Sequence, residues 1–156
     1  MNVPTPWQWT GRFVAVILLA ASASGQYKQA VPEGFVRLDA DEIKTGAIYG
    51  DPRSPGIYVT RNRFAPGQGS HPHYHDKARY ITVIKGTWWV SLGPESDTYN
   101  PEKMTAVKPG SFIYEPAFGH HYDMAKDEEV IVEIIGMGPV STTSLEPGRG
   151  RGGQDH

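Results

Sequence analysis

The stretch GQGSHPHYHDKARYITVIKG, residues 67–86, decides how the rest of the chain is read. His71, His73 and His75 stand at every second position, so on an extended backbone their side chains share one face. Imidazoles gathered on one side of a strand can converge on a single cation. Arg79 follows where a further ligand would be sought, and a guanidinium cannot ligate a metal. The end of the stretch, RYITVIK (79–85), is β-branched and aromatic, and TWWVSL (87–92) comes next beyond Gly86. The pair reads as two strands of a hairpin turning at that glycine.

Outward from this segment the same signals recur. IYVTRNRF (57–64) is a strand that ends in the turn APGQGS. A polar loop, GPESDTYNPEKM (93–104), precedes KPGSFIYEP (108–116), HHYDM and the apolar EEVIVEIIG that ends at Gly136. ADEIKTGAIYGDP (40–52) suits either one helical turn or a short strand, and both stay open. With 18 glycines and 13 prolines, no helical period and no internal repeat, the chain is expected to be all-β. A length of 156 residues suits one domain, a small antiparallel sandwich or barrel enclosing a pocket. The expected organisation is a signal peptide over 1–23, an N-terminal arm with edge elements over 24–54, the barrel over 55–140 and a flexible tail over 141–156.

The first residues read as an export leader. Arg12 precedes the apolar core FVAVILLAA, and ASA (21–23) suits cleavage after Ala23. The apolar run is shorter than the roughly 20 residues that span a bilayer. The remainder, with 14 basic and 17 acidic side chains, lacks the clustered cations that nucleic-acid binding requires. There is no cysteine, hence no disulfide, no thiolate ligand and no lipid-anchor site. Without a twin-arginine pair the chain is expected to cross unfolded and to take up any metal afterwards. The expected location is secreted or periplasmic, in a bacterium.

Residues 67–86 resemble the first motif of the cupin superfamily: a glycine, five residues, His-x-His, three or four residues, a glutamate, six residues and a glycine. Gly67, His73, His75 and Gly86 fall in register, and Arg79 stands at the glutamate position. GSFIYEPAFGHHYDMA resembles the second motif through Gly110, Pro116 and His121, with Phe118 at its inner glycine and Ala125 at its asparagine. The resemblance spans roughly residues 55–137. It implies a cupin-type antiparallel β-barrel, or jelly roll, with His73, His75 and His121 as ligands of one divalent ion (Fe, Mn, Cu, Ni or Zn). Neutral imidazoles suit all of these, and three of them leave positions for substrate. His71 and His120 are surplus, and His120 takes the ligand role instead if the register slips.

Arg79 has three readings. It clamps the negative end of a chelated substrate, or it pairs structurally with Glu115 or Glu133, or no metal binds and the pocket takes an organic ligand. Glu115 and Tyr80 are the candidates for moving a proton. Tyr80, Tyr114, Trp88, Phe112 and Phe118 are expected to line the barrel. The function expected from the resemblance is oxygenase-type chemistry on a small anionic or enolisable molecule. The alternatives are a Lewis-acid lyase or isomerase, and a non-catalytic periplasmic binding or sensing module. The strand region 83–93 is also expected to pair edges in a homodimer.

Overall fold

The computed structural model describes residues 31–38 and 43–146; the leader, part of the arm and the last ten residues of the expected tail lie outside them. Residues 31–34 belong to a separate leading unit and carry only a turn, and every described strand lies in the unit from Phe35 onward. In chain order the ten strands are β1 (Gly46–Tyr49), β2 (Gly56–Phe64), β3 (His73–His75), β4 (Arg79–Lys85), β5 (Trp88–Leu92), β6 (Thr105–Val107), β7 (Phe112–Glu115), β8 (His121–Ala125), β9 (Val130–Gly138) and β10 (Thr142–Ser144). Two 3-10 turns, Pro94–Asp97 and Pro101–Lys103, interrupt the polar loop. The strands form two five-stranded antiparallel sheets, β1-β2-β9-β4-β7 and β10-β3-β8-β5-β6, the arrangement of a jelly roll.

Alternation along the strands builds the core. Ile81 and Val83 on β4 face inward beside their partners Ile134 and Val132 on β9, all 5% exposed or less. They meet Trp88, Val90 and Ala125 of the opposite sheet, with Phe64 and Val130 completing the cluster. Each such side chain contributes about 1.5–3 kcal/mol on leaving water. One row farther along, the inner face of the first sheet changes character. Tyr58, Gly136, Arg79 and Glu115 are consecutive cross-strand partners over β2, β9, β4 and β7. The apolar core therefore ends, and a polar floor begins, within a single step of the pleat.

Three expectations change. The strands β4 and β5 are not a hairpin: β4 pairs β9 and β7 in one sheet, and β5 pairs β8 and β6 in the other. Gly86 turns the chain between sheets at φ +73°, where a Cβ would lie 2.2 Å from the Glu129 carbonyl oxygen. Both strands are flanked on each side within their sheets. The tail does not loosen at residue 141, because β10 pairs β3 with Thr142 opposite His75. Of the aromatics expected inside, only Trp88 is buried. Tyr80, Phe112 and Tyr114 are 47–61% exposed, since the inward positions of β4 and β7 are already taken by Arg79, Ile81, Ile113 and Glu115, and Phe118, in the turn before β8, is 63% exposed.

Candidate metal centre

The second sheet brings the histidines together. His73 and His75 flank Tyr74 on β3 and so share a face, and His121 at the start of β8 is the strand partner of His73. One ligand nitrogen from each of the three lies within 4.8 Å of the other two. His75 and His121 are buried and His73 is half-buried.

Each ring is oriented from behind. His73 Nδ1 donates to the His71 carbonyl at 2.7 Å, and His121 Nδ1 donates to the Gly119 carbonyl at 2.9 Å. A carbonyl only accepts, so both rings carry their proton on Nδ1 and hold a lone pair on Nε2. His75 Nδ1 is 3.0 Å from Thr142 Oγ1, and its Nε2 is buried without a partner. A buried lone pair left unmatched asks for a ligand.

The electrostatics keep the rings neutral. Burial, then Arg79 and the neighbouring histidines, hold His75 down to about 2. Burial, then His73 and Arg79, hold His121 down to about 3, and burial lowers His73 as well. Neutral rings with inward lone pairs are the form a metal requires. These three histidines can hold a metal ion, and their donor set fits a borderline divalent cation.

The opposite sheet supplies the charged partners. Arg79 places Nε 2.9 Å and Nη2 2.6 Å from one oxygen of Glu115, Oε2, while Oε1 is buried with no partner. Arg79 thus takes Glu115 rather than Glu133, which pairs with Arg61 at 2.9 Å. Nη2 also stands 3.2 Å from His121 Nε2, and Glu115 Oε2 is 3.5 Å from the same nitrogen. A cation on His121 displaces that Arg79 contact, and Glu115 offsets the guanidinium charge beside it.

Not every candidate joins the site. Tyr80 lies on the outer face of β4 against Tyr114 and Phe112, because the adjacent Arg79 takes the inner face. His71 turns to Glu146 at 3.0 Å and stacks on Tyr99, and His120 turns to Asp97 at 2.5 Å. Three residues beside the site carry no functional expectation from sequence: Thr142, exposed on β10 yet bonded to His75, Tyr58 on the polar floor, and Asp123. The Asp123 carboxyl, two residues from His121, is raised to about 6 by burial and then by Glu115, and it accepts from Ser70 Oγ at 3.0 Å. The only signal for Asp123 is its period-two spacing from His121; Thr142 gives none.

No protein-family model and no curated protein matches the sequence. Solved structures do match in fold. A cupin 2 domain-containing protein from Halorhodospira halophila aligns at a TM-score of 0.52 and 16% identity, over 72% of this chain and 73% of that one. An uncharacterized conserved protein with a double-stranded β-helix domain from Klebsiella pneumoniae aligns at 0.51 and 21% identity, over 71% and 90%. A cupin 2 conserved barrel domain protein from Rhodopseudomonas palustris aligns at 0.50 and 12% identity, over 70% and 74%. Three further structures align at TM-scores of 0.44 to 0.47, and the chain spans 43%, 65% and 55% of their lengths; nothing of their chemistry transfers. The chain has the cupin fold, a double-stranded β-helix of two antiparallel sheets.

Proposed function

We propose that this protein is a metal-dependent enzyme acting on a small enolisable or anionic molecule by oxygenase-type chemistry. The observation that carries the reading is the convergence of three neutral imidazoles, two of them fixed by backbone carbonyls with their lone pairs on Nε2. A divalent ion held by His73, His75 and His121 supplies Lewis acidity toward substrate oxygens and open coordination positions.

The chain's own residues do the rest. Glu115 is the proton acceptor: Arg79 grips Oε2 and leaves Oε1 buried and without a partner. Arg79 serves as the holder of that base, because its charge is matched by Glu115 before any substrate arrives. The burial of both side chains excludes water from the transfer. Location outside the cytoplasm rests on the leader sequence, and N-terminal sequencing of the native protein tests it.

The experiment is reconstitution with Fe, Mn, Cu, Ni and Zn singly, followed by a dioxygen-uptake screen over small diketones and hydroxy acids. The reading expects uptake with one redox-active metal and one such substrate, lost in Glu115→Gln while metal is retained. Turnover that persists without dioxygen replaces it with a lyase or isomerase using the same base. Metal bound with no turnover of any tested class favours a binding module.

A further inference from the structure

The polar floor holds a phenol that the metal centre and its base leave unused. Tyr58 is 3% exposed, and its cross-strand partner on β9 is Gly136, whose partner on β4 is Arg79. A Cβ on Gly136 would lie 2.5 Å from Tyr58 Oη, 2.7 Å from Cζ and 2.9 Å from Cε1. The ring therefore crosses β9 through the space a side chain would fill, toward Arg79. Gly136 has no left-handed φ, so glycine is required there for room rather than for a turn.

The hydroxyl has no hydrogen-bond partner among the described residues, and although the ring is buried, Oη itself keeps a little contact with solvent. A tyrosine with a buried ring usually finds a partner for that group, so an unmatched hydroxyl over Gly136 and near Arg79 and Glu115, still reachable from solvent, marks a place for a ligand atom. Its charged surroundings are Arg79, Glu115 and Asp76. Burial raises its pKa, so at neutral pH it stays a phenol and offers a proton to an acceptor.

We infer that Tyr58 Oη is the substrate-contacting donor of this site, binding an acceptor oxygen of the chelated molecule, with Gly136 as the gap that admits it. This rests on the three-histidine reading and narrows the substrate class. The ligand carries at least one hydrogen-bond-accepting oxygen besides those that chelate, as a keto acid or a dicarboxylate does. A neutral donor is what the site otherwise lacks, since Arg79 is held by Glu115.

The test loads the full protein with Co²⁺ and titrates it with oxalate, which chelates through two oxygens and keeps two acceptors free, reading the visible cobalt bands. Tyr58→Phe keeps the ring and removes the hydroxyl. It is expected to bind one cobalt as the wild type does and to weaken oxalate about tenfold, a loss near 1.4 kcal/mol. Gly136→Ala pushes the ring aside without removing it and is expected to weaken oxalate in the same direction. Oxalate affinity equal to that of the wild type in both variants overturns the inference, as does loss of cobalt from Tyr58→Phe, which would make the residue structural. Wild type that takes cobalt but no oxalate overturns the inference alone. Wild type that takes no cobalt overturns the metal reading and this inference together.

Discussion

Arg79 and Glu115 are opposite one another in the β4–β7 register, and both guanidinium contacts, at 2.9 and 2.6 Å, fall on a single carboxylate oxygen. The position that resembles a ligand glutamate in sequence therefore carries the cation, and the carboxylate comes from the facing strand. Side-chain exposures of 13% and 5% place the pair where neither charge is well solvated.

Breaking such a pair from one side strands the other charge. Arg79→Met is expected to cost about 3–5 kcal/mol, with Glu115 left buried and charged. The double variant Arg79→Met, Glu115→Leu is expected to recover most of that loss. Urea unfolding of the singles and the double measures it. A double as unstable as the sum of the singles would show that the two do not act as a pair.

Thr142 holds His75 by the nitrogen that faces away from the metal position, at 3.0 Å. Thr142→Val keeps the strand and the volume but frees the ring to turn. Metal affinity is expected to fall about 10- to 100-fold, the usual consequence of removing a group that orients a ligand. Chelator competition reads it directly, and an unchanged affinity would remove Thr142 from the site.

Phe118 adopts φ +61°, and its backbone N–H donates to the His75 carbonyl at 2.7 Å. A non-glycine residue in that conformation costs roughly 1–2 kcal/mol, partly offset by glycine's greater chain entropy. Phe118→Gly is accordingly expected to raise stability by about 1 kcal/mol or slightly less. The 63% exposure of the ring means that little packing is lost. A lower melting temperature for this variant would contradict it.

The histidines set the acid limit of the metal-free protein. Their folded pKa values, about 2 for His75 and about 3 for His121, lie below the unfolded value of 6.5. The unfolded chain then binds more protons, so stability falls as pH drops from about 6.5 toward those values. At pH 5 each of the two costs about 2 kcal/mol. Asp123, raised to about 6, works in the opposite sense and returns about 1 kcal/mol over the same interval. The expected result is a net loss of a few kcal/mol between pH 7 and pH 5, measured by urea unfolding. Stability that rises on acidification would refute the neutral-ring assignment.

Much of this architecture is written locally, and the remainder depends on partners that no local pattern names. The alternation of His73 and His75 reflects period two along one strand, the continuous apolar run of β9 marks a buried strand, and His121 is legible through its motif. The step from β4 to β5 misleads, because a glycine between two apolar strands looks the same whether the chain folds back or crosses to the other sheet. What decides it is that β4 lies between β9 and β7, both far along the chain. Tyr80 is the natural phenol beside Arg79 in sequence, yet neighbours on a strand face apart. Tyr58 reaches that side only because Gly136, on another strand, leaves space. Thr142 sits in what composition makes a tail, and only its pairing with β3 turns it into a support for His75.

The most direct test of the central claim is metal content. The protein is purified without chelators and subjected to elemental analysis beside a His73→Ala, His75→Ala double variant. A metal centre on His73, His75 and His121 gives close to one divalent ion per chain, absent from the variant. No metal in either protein, even after reconstitution, would contradict the three-histidine centre and leave these lone pairs to an organic ligand.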